Sequence, residues 1–141
     1  MCSYCGCRAN TLIARYSAEH VDIVNALGDL RRAVQGSSSE PVPHSAAHLA
    51  ALLDTHTSSE ERSLFTELRL DPEFTEHVDV LCAEHRDLDH LLSCIASGHV
   101  TELPAFESKL RKHIDKEENG LFPAAIIALD GAAWERAVSA A

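Results

Sequence analysis

The chain has 141 residues, 45% hydrophobic and only 5% aromatic, and carries a formal net charge of −10. That length suits one domain with a single core of ordinary size, and the scarcity of aromatic and alternating apolar residues favours helix over strand. The acidic balance argues against nucleic acid and anionic membrane surfaces as partners, because both recruit basic patches, and leaves metal cations and small molecules.

The chain opens with a cysteine-containing N-terminal segment, residues 1–10, in which Cys2, Cys5 and Cys7 stand in CxxC and CxC spacing. This stretch has no apolar core of the kind a signal peptide needs, and no apolar run in the chain reaches the roughly 20 residues of a membrane span, so a cytoplasmic location is expected. Five cysteines are an odd number for a disulfide scaffold. Three readings of the segment stand side by side: a reduced tail, ligands for a soft metal, or a thiol pair acting as a redox switch. Cys82 and Cys94 read as small buried apolar residues.

Residues 11–141 form the folded unit. Leu12, Ile13, Tyr16, Ile23, Ala26, Leu27 and Leu30 fall at helical spacing and predict a first helix from about Thr11 to Val34. The Gly, Ser and Pro run from Gln35 to Pro43 stops it. A second helix is expected from about Pro43 to Leu68. Asp71-Pro72 supplies an N-cap and a first-turn proline for a third helix ending near Ser97, with Gly98 as its C-terminal cap. The fourth starts near Leu103-Pro104 and runs to about Leu129, through Asn119-Gly120, where it is loosened, and with a bend at Pro123. Asp130-Gly131 ends it, and Trp134 and Val138, four residues apart, mark a short terminal helix. The expected fold is all-α: an antiparallel up-down four-helix bundle with a short C-terminal helix.

The chemistry sits in a repeat. His56 to Phe65 and His113 to Phe122 both read HxxxEExxLF, and each copy is preceded by an AEHxD phrase, at residues 18–22 and 83–87. Residues four apart on a helix share a face, so His56 with Glu60 and His113 with Glu117 each present an imidazole and a carboxylate in one direction. Metal sites in bundle cores are built from such pairs on facing helices, with carboxylates able to bridge two ions. The assignment that follows is Glu60 and Glu117 as bridges and His20, His56, His85 and His113 as terminal ligands. Glu61 and Glu118 are expected to face outward or to support the ligands from behind, Glu19 and Glu84 to point elsewhere, and Asp22 and Asp87 to be solvated. Leu64-Phe65 and Leu121-Phe122 are expected to pack beneath the ligands. His44 and His48 make only a weak surface HxxxH, His48 and His77 lie two turns before ligand histidines, and His90 and His99 are expected to be exposed.

As a set, H…HxxxE…H…HxxxE over four helices resembles the haemerythrin-like, HHE cation-binding family, over about Ala18 to Pro123. The resemblance implies a four-helix bundle around two non-haem iron ions with an oxo or hydroxo bridge, with zinc or manganese as alternatives in the same ligands. It also implies proteins that bind, respond to or consume oxygen, nitric oxide or peroxide, with an electron donor the sequence does not identify, or that store and sense iron in the manner of a redox sensor. Two departures from the oxygen-carrier branch matter. Four residues either side of His85 stand Leu81 and Asp89, where that branch has a further histidine, and Glu117 follows His113 by four residues, where it has five. The expectation moves from reversible oxygen carriage towards redox turnover or sensing. Candidate additional ligands are Tyr16, four before His20, and Asp89, four after His85, together with the N-terminal cysteines; no catalytic residue is assigned.

Overall fold

The computed structural model describes residues 7–141, with side chains from Thr11 onward. Its elements are α1 (Cys7–Val34), α2 (Val42–Arg62), α3 (Leu64–Leu68), α4 (Pro72–Ala96), a 3-10 turn (Val100–Glu102), α5 (Leu103–Lys116), a π turn (Glu117–Leu121), α6 (Phe122–Ala128) and α7 (Gly131–Ala140). No strand occurs among the described residues, and none of the helices is long and apolar enough to cross a membrane.

Two apolar clusters give the bundle its up-down order. One gathers Leu12 and Tyr16 of α1, Leu64, Phe65 and Leu68 of α3, Val78 and Leu81 of α4, Leu121 and Phe122, and Trp134 of α7. The other gathers Ile23, Leu27 and Leu30 of α1, Leu49 and Leu53 of α2, Leu88 and Leu92 of α4, and Phe106 and Leu110 of α5. Successive long helices pass between the clusters in alternating directions, and each crosses the middle of the bundle on polar residues: His20, His56 with Glu60, His85, and His113 with Glu117. A polar layer is therefore sealed between two apolar ones. Each fully buried Leu or Phe contributes about 1.5–3 kcal/mol, which offsets the cost of carrying that layer inside.

Local chemistry sets most boundaries. Asp71 caps α4, its side chain accepting from the Glu73 N–H, and Asp130 caps α7 by accepting from Ala133. Gly98, after α4, adopts φ +109°, a conformation open to glycine at little cost.

The helix expected from Pro43 to Leu68 is interrupted at Ser63, which has φ −113° and ψ −93° and separates α2 from α3. The Ser63 hydroxyl donates to the carbonyl of Ser59 at 2.6 Å, a local bond that competes with the helix ladder and turns the chain. The matching place in the second copy, around Gly120, stays helical but widens into the π turn, where the Phe122 N–H bonds to the carbonyl of Glu117. Both ligand helices are thus distorted at or just after their glutamate pair, by different local means. Pro123 falls in the first turn of α6, directly after the π turn.

Candidate metal centre

The repeat delivers its ligands to one place. Ligand atoms of His20, His56, Glu60 and Glu117 all lie within 4.8 Å of one another, and so do those of Glu60, His85, His113 and Glu117. Glu60 and Glu117 belong to both groups. The first histidine pair comes from one copy of the motif, on α1 and α2, and the second pair from the other, on α4 and α5. All six side chains are buried.

Each histidine points Nε2 inward and Nδ1 at a carboxylate. His20 Nδ1 lies 2.6 Å from Glu118 and His56 Nδ1 lies 2.8 Å from Glu19. His85 Nδ1 lies 2.8 Å from Glu61 and His113 Nδ1 lies 2.9 Å from Glu84. An ionised carboxylate only accepts hydrogen bonds, so all four rings donate through Nδ1–H. In a neutral ring the Nε2 lone pair is then left for a cation, and the carboxylate behind raises its basicity; His20 Nε2 lies 3.0 Å from Glu117 Oε1.

The inner faces test whether an ion fits. His56 Nε2, both oxygens of Glu60 and Oε2 of Glu117 are fully buried without a hydrogen-bond partner. His56 Nε2 stands 3.2 Å from Glu60 Oε1 without the alignment of a hydrogen bond, and His85 Nε2 stands 3.4 Å from the same oxygen. His85 and His113 turn their Nε2 atoms towards each other at 3.1 Å. Unsatisfied buried acceptors at this density cost several kcal/mol unless a cation draws on them. Imidazole nitrogens with carboxylate oxygens suit zinc, iron and manganese, and the donor set fits a bound metal.

Without an ion, protons take up part of the conflict. Burial, reinforced by the neighbouring Glu117, raises the Glu60 carboxyl well above the ordinary range. Burial pushes Glu117 the same way, but His113 and His20, whose Nε2 atoms face its two oxygens at 3.5 and 3.0 Å, outweigh it and hold Glu117 well below that range. Burial lowers His113, and its bonds to Glu117 and Glu84 more than reverse this, so His113 is raised. Two buried carboxylates side by side divide in this way because both cannot ionise cheaply.

Aromatic rings close the site. Phe65 stacks on His85 with centroids 5.7 Å apart, and Phe122 stacks on His20 at 5.9 Å. These are the phenylalanines of the two LF pairs, packed against the ligands as expected.

The other candidates fall outside. Tyr16 is fully buried and meets His56 edge to face, but its hydroxyl bonds to Ser59 and Ser63 at 2.8 and 2.6 Å and joins neither ligand group. Asp89 is exposed on the outside of α4 and joins neither group, and burial with the nearby Asp54 raises its carboxyl. Cys2 and Cys5 lie outside the described residues, and of Cys7 only the backbone is described. Cys82 is buried, its thiol raised to about 11 by desolvation and the adjacent Glu61. Cys94, expected to be buried, is only half-buried, its thiol 3.8 Å from the exposed His90 one turn before it on α4. Asp22, Asp87, His44, His48, His77, His90 and His99 are exposed.

Glu19 and Glu84, expected to point away, are the correction that matters most. They do leave the face of their own histidine, and in doing so reach the histidine of the adjacent helix. Arg15 holds Glu19 at 3.0 Å, and Lys116 pairs with Glu84. Burial raises both carboxyls, but hydrogen bonds outweigh it, from His56 and Arg15 on Glu19 and from Lys116 and His113 on Glu84, leaving both below the ordinary value. The signal was present in the repeated AEH phrase, where the glutamate recurs as faithfully as the histidine.

The family model of the hemerythrin HHE cation binding domain matches residues 11–125. No curated protein and no solved structure matches the chain.

Proposed function

The chain belongs to the hemerythrin HHE cation-binding family, and on that premise we propose that it holds two non-haem iron ions and binds or reduces small oxidants such as oxygen, hydrogen peroxide or nitric oxide. The observation that carries this reading is that Glu60 and Glu117 stand in both ligand groups, so two ions can share them, each completed by two histidines of one repeat. When bound, a carboxylate-bridged iron pair supplies electrons to a small oxidant.

The rest is done by the chain. Glu60 and Glu117 neutralise cationic charge from inside a buried layer, where their attraction is little screened. The four Nδ1–H groups donate to Glu19, Glu61, Glu84 and Glu118, so each ring, once neutral, turns an Nε2 lone pair inward. Tyr16, Phe65 and Phe122, all fully buried, form an apolar wall that restricts the interior to small molecules.

Metal analysis of protein purified from cells grown without added metal tests the reading. Two irons per chain, with near-ultraviolet absorption that bleaches on reduction, are expected. One ion per chain overturns the dinuclear site, and zinc in place of iron overturns the redox function.

A further inference from the structure

The histidines of the two AEH phrases are gripped from the opposite repeat. His85 on α4 donates Nδ1–H to Glu61 at the end of α2 and lies face to face with Phe65 of α3, the ring planes 12° apart. His20 on α1 donates to Glu118 of the π turn and lies face to face with Phe122, the planes 8° apart. In each case carboxylate and phenyl ring come from one HxxxEExxLF copy, which already contributes its own histidine and a shared glutamate. Yet His85 shares its ligand group with His113, and His20 with His56. Each half-site is therefore shaped by a residue pair that belongs to the other half.

The two kinds of carboxylate differ in what else holds them. Glu19 and Glu84, which grip histidines of their own repeat, share their charge with Arg15 and Lys116. Among the described residues no lysine or arginine pairs with Glu61 or Glu118; Glu118 accepts one bond from the Ser17 hydroxyl at 2.9 Å. The imidazole is the one basic partner either carboxylate has among the described residues, although Glu61 also lies beside the Cys82 thiol. Without such an acceptor a neutral imidazole is free to carry its proton on Nε2, which blocks it as a ligand.

We propose that Glu61 and Glu118 are positioning residues that interlock the two half-sites: each sets the tautomer and ring angle of a histidine in the opposite repeat, so that the two ions load as a unit. This rests on the dinuclear reading above. It has a crossed consequence: altering Glu61, in the first repeat, weakens the ion held by His85 and His113, and altering Glu118, in the second, weakens the ion held by His20 and His56. The lost affinity is about 10- to 100-fold, the usual effect of removing such a partner from a metal-bound histidine.

Zinc, a diamagnetic probe, allows the test. The metal-free chain is titrated with zinc under native mass spectrometry, and nitrogen-15 spectra of the histidine rings report which Nε2 atoms are coordinated. The unaltered chain is expected to pass from no ion to two with little one-ion species. Glu61→Met and Glu61→Ala are expected to accumulate a one-ion species with His20 and His56 still coordinated, and the Glu118 variants the mirror image. The methionine variants preserve side-chain length without an oxygen that can accept from Nδ1–H, so they decide the matter if the alanine variants misfold. A merely structural role lowers both ions' affinities alike. Equal weakening, unchanged affinity, or loss of the ion on the substituted residue's own half overturns the proposal while two-ion binding by the unaltered chain upholds the site. A single zinc in the unaltered chain removes the dinuclear reading and the interlock together.

Discussion

The hydroxyl of Tyr16 lies 2.6 Å from Ser63 Oγ, and this contact turns the phenol away from the ligand cluster beside it. Ser59 Oγ completes the arrangement at 2.8 Å. The tyrosine therefore pins α1 to the point where α2 breaks. Tyr16→Phe is expected to leave metal content unchanged and to cost about 1–3 kcal/mol, because two buried serine hydroxyls lose a partner. Chemical denaturation alongside metal analysis checks both halves of that statement, and loss of an ion in the variant would make the phenol a ligand after all.

Trp134 is the anchor of α7. Its ring is buried in the same cluster as Leu12, Phe65 and Phe122, while Arg62 donates to the carbonyl of Ala140 at 2.8 Å and Arg136 to Glu67 at 2.9 Å. The buried aromatic outweighs the exposed Arg62 bond, whereas Arg136 meets a carboxylate that is itself buried. Trp134→Ala is expected to lower stability by about 3–5 kcal/mol. Arg62→Ala should move the thermal midpoint only slightly, because its bond to the Ala140 carbonyl is exposed. A midpoint as sensitive to Arg62 as to Trp134 would contradict this ranking.

Gly98 and Gly120 make opposite predictions from similar surroundings. A Cβ at either would meet nothing within 4 Å, but Gly98 has φ +109° whereas Gly120 has no left-handed backbone. Gly98→Ala is expected to destabilise by about 1–3 kcal/mol through backbone strain alone. Gly120→Ala should stabilise by about 0.4–1 kcal/mol by restricting the unfolded chain. Thermal unfolding of the two variants with the unaltered chain gives the signs directly.

These contrasts show where sequence is legible and where it is not. The six inward residues could be read because a ligand pattern written twice at one spacing leaves few arrangements on four helices. Ser63 could not be read, since its effect depends on a hydroxyl bond to Ser59 and on a tyrosine 47 residues away in the chain. The widening at Glu117–Leu121 was visible only as an Asn-Gly placed where a helix had to continue. The role of Glu19 and Glu84 as histidine partners is not legible from their own helix. A residue that leaves its own histidine's face can still arrive at a neighbour's, and only the packing of α1 on α2 and of α4 on α5 reveals which neighbour that is.

Glu107 gives a pH-dependent test away from the metal. Arg31 donates to its Oε1 at 2.7 and 3.1 Å and Arg111 to its Oε2 at 3.2 Å, and the Arg31 guanidinium holds the carboxyl below its ordinary 4.5. The folded value is below the unfolded one, so the contribution is present above about pH 4.5 and fades as pH falls through the lowered folded value. Both partners are partly exposed, which limits the effect to about 1 kcal/mol or less. The stability gap between the unaltered chain and Glu107→Gln should be open at pH 7, closed in acid and narrowed by salt. A gap that persists at low pH would assign the effect to packing.

Glu60 places binding and metal-free stability in opposition. Its two carboxylate oxygens are buried without partners, and Glu117 stands beside it, so in the empty site the group must accept a proton or remain as an uncompensated charge. A neutral amide of the same shape removes the charge while leaving the volume of the layer unchanged. The metal-free Glu60→Gln chain is therefore expected to be more stable than the metal-free original, by about 1–4 kcal/mol. With metal the order reverses. Free ion at 100 times its dissociation constant stabilises the original chain by about 2.7 kcal/mol, and higher concentrations by more. The variant has lost a shared ligand and should respond to neither iron nor zinc. Thermal midpoints measured across a metal titration should cross, with the variant higher at zero metal and the original higher once loaded. Parallel curves, or a variant less stable at every metal concentration, would show that the layer is held together by its own hydrogen bonds and not by an ion.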